Sequence, residues 1–228
     1  MQSEYSDQPA GVVFDVDGTL LDTESRARKA FEVAINRIGL VYSETVYLNC
    51  IGTSHAQTDQ ILTAHYGSAL LLDELRGQWS DAFFEEIQQR PLQPKPGIRE
   101  LLAQLKAQQI PMAVATSNYR DHVEENLSRC DLLTYFEALV CSGDTERHKP
   151  YPDPYLRAAA HIEIAPQKGW ALEDSNIGVL AAHRAGLRVF HIPDQIPPSA
   201  EVSAIAVETC RSAYEVLVQF QRHAGSTI

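Results

Sequence analysis

From residue 98 to residue 192, short apolar runs alternate with segments of helical periodicity, and no other feature constrains the fold as much. The spacing predicts helices over 98–109, 119–130, 154–161 and 177–184, and strands over 112–115, 138–141, 169–172 and 188–192. Short strands separated by helices build a parallel sheet with helices on both faces. One further strand, 11–16, lies far upstream; its Val12-Val13-Phe14 run is apolar without alternation, as in a strand buried on both faces. Residues 24–90 are helical and polar, with apolar positions at helical spacing: Ala30, Phe31, Ala34 and Ile38, then Ile61, Leu62, His65 and Tyr66, then Leu75, Trp79, Phe83 and Phe84. This stretch ends in "RPLQPKPG", where three prolines in six residues make a stiff connection. The expected fold is therefore α/β: a Rossmann-like parallel sheet core (1–23 and 91–228) with an inserted α-helical cap domain (24–90). Residues 1–10 read as a disordered tail, and 204–220 as a short strand and a closing helix.

Composition narrows the partners. The net charge is −11, which gives no electrostatic footprint for nucleic acid or an anionic membrane. No apolar run approaches ~20 residues, and the polar, acidic "MQSEYSDQPA" is no signal peptide, so a cytoplasmic protein is expected. Cys50, Cys130, Cys141 and Cys210 are far apart and form no CxxC pair, which suits free thiols in a reducing compartment.

In an open parallel sheet, ligands bind beyond the carboxyl ends of the strands. The residues collected there are Asp15, Asp17, Gly18 and Thr19 after the first strand, then Thr116, Ser117 and Asn118. Asp144 to Lys149 follow the third, and Glu173, Asp174, Ser175 and Asn176 the fourth. Four carboxylates, Asp15, Asp17, Glu173 and Asp174, repel one another unless a cation intervenes. All-oxygen ligands suit Mg²⁺, which keeps places for water and phosphate oxygen. The ion and Lys149 would also draw a phosphate into an acidic protein. Thr116-Ser117-Asn118 open the next helix, whose free N–H groups can hold phosphate oxygens, and Gly18 permits a tight turn. Asp15 can attack phosphorus, while Asp17 can protonate the leaving oxygen and then activate water. Taken singly, each motif has a plain structural reading: a turn, an N-cap, a surface loop. Their joint order at the ends of separate strands favours chemistry.

The chain resembles the haloacid dehalogenase superfamily over nearly its whole length. "FDVDGTLLDTE", "VATSN", the lysine of "KPYPDPY" and "LEDSNIGVLAAHRAG" look like its four motifs, in order and spacing. The helical insert is similar to the small cap of the β-phosphoglucomutase-like branch, and the nearest likeness is to its small-metabolite phosphatases. The resemblance implies that Asp15 is the nucleophile and Asp17 the acid/base, its backbone carbonyl on Mg²⁺. Thr116, Ser117 and Lys149 would hold the phosphoryl group; Asn118 and Gly18 complete the expected phosphate site. Asp174 would be a second Mg²⁺ ligand, with Glu173 beside it or also ligating.

Departures from the branches are informative. Dehalogenases lack the second aspartate, Asp17. β-Phosphoglucomutases carry a cap histidine and a Lys-Gly-x-Ser-Arg loop. Here Ala27 and "IGTSHA" stand instead, with Ile51 for the lysine and His55 for the arginine, so the basic groups for a second phosphate are missing. Phosphonate hydrolases use a cap lysine, and here the cap holds Lys29 alone, on the polar side of its helix.

Glu24, Ser54 and His55 are the cap residues expected at substrate, with Thr53 and Gln57 as further polar candidates. His55 also reads as a surface residue of a first helical turn. Arg26 and Arg28 read as surface charges, and Asn176 as a helix cap. Hinges are expected near 21–23 and 91–96. The leading expectation is a Mg²⁺-dependent phosphatase acting on a small phosphomonoester through an aspartyl-phosphate. A phosphomutase or a phosphonate hydrolase is the alternative, and a monomer or weak homodimer the expected state. A non-catalytic binding protein would have no need of intact motifs, and a receiver-like phospho-acceptor lacks the cap.

Overall fold

The computed structural model describes residues 8–205 and 208–224. In chain order its strands are β1 (Gly11–Phe14), β2 (Met112–Ala115), β3 (Ala138–Val140), β4 (Gly169–Glu173), β5 (Arg188–His191) and β6 (Glu208–Thr209). The helices are α1 (Glu24–Arg37), α2 (Glu44–Cys50), α3 (His55–Tyr66), α4 (Leu72–Gln89), α5 (Ile98–Ala107), α6 (Arg120–Arg129), α7 (Asp153–His161), α8 (Asn176–Arg184), α9 (Ala200–Ala204) and α10 (Ala213–Ala224). All strands are parallel, in the order β3-β2-β1-β4-β5-β6. β1 is central, with Val13 opposite Ala113 on one side and Ala171 on the other.

Alternate residues of the central strands feed opposite cores, as the period of two requires. Val12, Phe14, Val114, Leu172 and Phe190 face a layer completed by α5, α6 and α10. Val13, Ala113, Ala115, Ala171 and Val189 face α7, α8 and α9, where small side chains such as Ala158, Ala181 and Ala182 bring the helices close to the sheet. A third apolar cluster joins α1 to α4 through Phe31, Ala34, Ile35, Tyr47, Leu62 and Leu75. Toward its end α4 returns to the sheet side, where Ile87 belongs to the first core. None of the helices among the described residues is long and apolar enough to cross a membrane.

The two chain crossings between the helical segment and the sheet lie side by side. Leu21 bridges Pro94 in antiparallel sense, the Asp22 N–H donates to the Gln93 carbonyl, and the Lys95 N–H donates to the Leu20 carbonyl. Lys95 Nζ, 2.6 Å from Asp194 Oδ1, pins the second crossing to the loop after β5.

Several expectations need correction. Arg26 is buried: its Nη1 donates to the Arg90 carbonyl at 3.1 Å, with Asp22 and Glu86 within 4 Å, so it ties the two crossings together. Arg28 and Lys29, by contrast, are exposed as expected, paired with Glu44 and Glu32. His65 is exposed, because α3 presents only Leu62 fully to the cluster. Residues 1–7 lie outside the described residues, but Pro9 is buried and the Ala10 N–H donates to the Lys168 carbonyl, so the expected tail does not extend through 8–10. The helix after β2 begins at Arg120, two residues beyond Asn118. All four cysteines are free and buried.

Arg26→Ala strips the Arg90 carbonyl of its donor and leaves two carboxylates without their buried cation. We expect a loss of about 1–3 kcal/mol in urea unfolding, and a loss under about 0.5 kcal/mol would show that the crossings do not depend on it.

Candidate active site

The sheet delivers its polar residues to one point. The Asp15 N–H donates to the Leu172 carbonyl, so the chain is still registered on β4 as it leaves β1. It then folds back at once: the N–H groups of Leu20 and Leu21 both reach the Val16 carbonyl, and that of Gly18 reaches Leu21. Gly18 sits at φ +85°, and a Cβ there would lie 2.3 Å from an Asp174 carboxylate oxygen. Glycine thus sets how closely the first and fourth strand ends approach. Thr19 Oγ1 donates to Asp174 Oδ1 at 3.3 Å.

The centre of this site is a buried ammonium. Lys149 Nζ lies 2.6 Å from Asp15 Oδ1 and 2.5 Å from Glu173 Oε1. The Tyr155 hydroxyl donates to the same Glu173 oxygen at 2.7 Å, and Ser175 donates to Oε2 from both its N–H and its hydroxyl at 3.0 Å. Both Glu173 oxygens are therefore engaged, and the side chain is fully buried. α8 can start over it because Gly178 has no Cβ, which would fall 1.8 Å from Glu173 Oε1.

One ammonium faces three buried carboxylates, and the imbalance shows in their protonation. Burial pushes the Asp15 carboxyl well up despite Lys149, with Glu173 and Asp17 adding to the rise. Asp174 rises through burial and then through Asp15 and Glu173. Burial alone would lower Lys149, yet Asp15 and Glu173 hold it above the ordinary lysine range, so the ammonium persists. Oxygens of Asp15, Glu173 and Asp174 lie within 4.8 Å of one another. An all-oxygen set carrying excess negative charge fits a hard divalent cation. Of these three, Asp15 and Asp174 face the cavity and have the freer oxygens. His191, fully buried on β5, sits with Nε2 2.9 Å from the Asp174 carbonyl and holds that loop from behind.

A cavity of about 480 Å³ opens between this point and α1, α3 and α4. Asp15, Asp17, Thr116, Ser117, Asn118, Lys149 and Asp174 line one end. Asp17 accepts from the Thr23 hydroxyl at 2.8 Å and from the Asn118 amide at 3.3 Å. Ser117 Oγ donates to the Gly52 carbonyl of the helical segment at 3.2 Å. Glu24 lines the cavity and accepts from the Tyr47 hydroxyl; burial, then Asp17, pushes its carboxyl up to about 8. His55 also lines it, stacked on Tyr119 at 4.0 Å and 10°, its pKa lowered by burial.

Other expected site residues are placed elsewhere. Ser54 does not reach the cavity, because it caps α3 in a reciprocal capping box with Gln57. Gly18 has spent its N–H on Leu21, and its contribution is steric. Glu173 lies behind Lys149, away from the cavity lining. Ser175, not Asn176, caps α8; Asn176 instead fastens Pro197 and Ser199. Thr23, Tyr47, Tyr119, Tyr155 and His191 are additions to the expected site. Thr19 stands where the sequence placed it, and Thr23 and Tyr155 lie inside stretches already singled out, but which carboxylate each meets depends on how the loops fold.

Residues 12–192 match the haloacid dehalogenase-like hydrolases. The chain is 31% identical to the phosphorylated carbohydrates phosphatase of Thermotoga maritima over 179 residues, 77% of this chain and 81% of that one. It is 31% identical to the validoxylamine A 7′-phosphate phosphatase of Streptomyces hygroscopicus over 178 residues, 77% and 81% of the two chains. Among solved structures, CbbY of Rhodobacter sphaeroides in complex with phosphate superposes with a TM-score of 0.79 at 26% identity, over 94% of this chain and all of that one. β-Phosphoglucomutase of Clostridium difficile shares the fold, with a TM-score of 0.76 at 16% identity over 95% and 99% of the chains.

Lys149→Met removes the cation shared by Asp15 and Glu173. In metal-free protein we expect about 3–5 kcal/mol of lost stability at pH 7. A carboxyl raised in the folded state takes up a proton as pH falls. Its penalty is therefore small near the unfolded value of about 4 and grows as pH rises. Urea unfolding in EDTA should show a smaller deficit at pH 5 than at pH 7, and equal deficits would contradict this charge balance.

Proposed function

The chain belongs to the haloacid dehalogenase-like hydrolases, and from that premise we propose that it is a Mg²⁺-dependent phosphatase of small phosphomonoesters. The observation that carries the reading is the meeting of Asp15 with Lys149 and Asp174 at one end of the cavity, with Asp17 beside them. Phosphatases of sugar phosphates and related metabolites among its relatives support the same class. Asp15 and Asp174 would hold the Mg²⁺. When bound, the ion would neutralise the carboxylates and offset the charge on the transferred group.

Asp15 attacks phosphorus through its free oxygen while Lys149 holds the other and keeps the nucleophile oriented; a bound cation beside Lys149 would add the positive charge that favours its carboxylate form. The P–O bond to the leaving group breaks, and Asp17 supplies the proton that group needs. Thr116 and Ser117 face the transferred phosphoryl at the cavity wall. Asp17 then takes a proton from the water that cleaves the aspartyl-phosphate, returning Asp15 as carboxylate. Asn118 and Thr23 hold Asp17 in place through both of its oxygens. Helices α1 to α4 act as the cap, which excludes bulk water during the reaction. Glu173 acts through Lys149 and not at the substrate, because its oxygens are already taken.

Phosphate release from p-nitrophenyl phosphate and a panel of sugar phosphates tests this directly. We expect release with Mg²⁺ and loss in EDTA. Asp15→Asn should lower kcat by at least about 10³-fold, the scale of losing a nucleophile, with the unfolding midpoint unchanged or raised. Asp17→Asn should stop turnover while leaving an acid-stable, hydroxylamine-sensitive phosphoryl label on the protein. Full activity in Asp15→Asn would exclude the mechanism.

A further inference from the structure

The α3–α4 wall of the cavity carries its own charge pattern. Arg76 on α4 lines it, so a cation is present where the cap loop alone lacks one. That guanidinium is half exposed and its charge is offset by Asp59 of α3, which also lines the cavity, and by exposed Asp73 at 3.1 Å. Lys149 is likewise held by two carboxylates. Thus both lysine and arginine side chains of the lining, among the described residues, are each already matched by two acids.

The remaining lining adds acid, not base. Glu24 and Glu125 face the cavity, Glu125 with Arg129 as its partner outside the lining. The imidazoles of His55 and His122 both pack on the Tyr119 ring, and burial holds His55 below its ordinary value. Leu62, Leu75, Trp79 and Phe83 supply apolar wall. A second anionic group on a bound ester would meet carboxylates, hydrocarbon and a few neutral polar groups such as Thr58 and Ser80, and would find both cations already offset by acids.

We propose that this cavity selects phosphomonoesters whose leaving group is an uncharged or cationic alcohol, and that Asp59 enforces the choice by occupying Arg76. The inference rests on the phosphatase reading and narrows its substrate class. Neither a bisphosphate nor a carboxylated monoester is well accommodated.

An aryl ester series of nearly constant shape isolates the charge: para-ethylphenyl, para-aminoethylphenyl and para-carboxymethylphenyl phosphate, assayed with Mg²⁺ as kcat/KM. The first two should exceed the carboxylate by at least about tenfold. In Asp59→Asn the carboxylate's disadvantage should shrink at least about fivefold, because Arg76 is released. Asp73→Asn, altered on the surface, gives a smaller shift in the same direction and serves if the first variant fails to fold. Equal or better turnover of the carboxylate by the unaltered enzyme overturns the selectivity while the phosphatase reading stands. An unchanged ratio in both variants overturns the part given to Asp59. No hydrolysis of any ester removes the phosphatase reading and this inference together.

Discussion

A single ammonium, that of Lys149, holds the site together. It reaches Asp15 from the end of β1 and Glu173 from the end of β4, and Glu173 is in turn gripped by Tyr155 of α7 and Ser175 at the start of α8. Three stretches of chain, at the end of β1, from Lys149 into α7, and from β4 into α8, are fixed by one buried charge-assisted network. Such a network is costly unless every member is satisfied, and here each Glu173 oxygen accepts two hydrogen bonds. The small residues around it follow from that density: Gly178 leaves space for Glu173, and Gly18 for Asp174.

The helical segment meets this centre through few but specific contacts. Its crossings are paired with each other and held by Arg26 and Lys95, so both ends of the segment leave the sheet at one place. Its cavity-facing side combines hydrocarbon with scattered hydroxyls, two acids and Arg76, whereas the buried ammonium and the clustered carboxylates lie on the sheet side. On the proposed reading, phosphate chemistry and leaving-group recognition would be separated in space, which would let one change without the other.

The sheet was legible in the sequence because parallel strands buried on both faces leave uninterrupted apolar runs, as in Val12-Val13-Phe14 and Met112–Ala115. The residues at their ends were legible for the same reason, since strand ends of one sheet converge. What periodicity could not show was pairing. Arg26 lies on a polar helix and looks like a solvated charge until the Arg90 carbonyl arrives from 64 residues away. Ser54 and His55 are adjacent, yet a capping box takes one and the cavity the other. Glu173 and Asp174 are also adjacent, but alternate side-chain directions at a strand end turn one inward to Lys149 and the other to the cavity. Arg76 and Asp59 sit on different helices, and no local pattern announces that they meet.

The bond from Ser117 to the Gly52 carbonyl has a consequence for the order of events at the site. A serine hydroxyl owns one proton. While Gly52 accepts it, no other acceptor can, so a ligand at this wall and the helical segment would draw on a single donor. On the proposed reading, a phosphoryl group that took this hydroxyl would leave the Gly52 carbonyl without its partner. Substrate binding and the seating of the 51–54 loop would then be coupled through one proton.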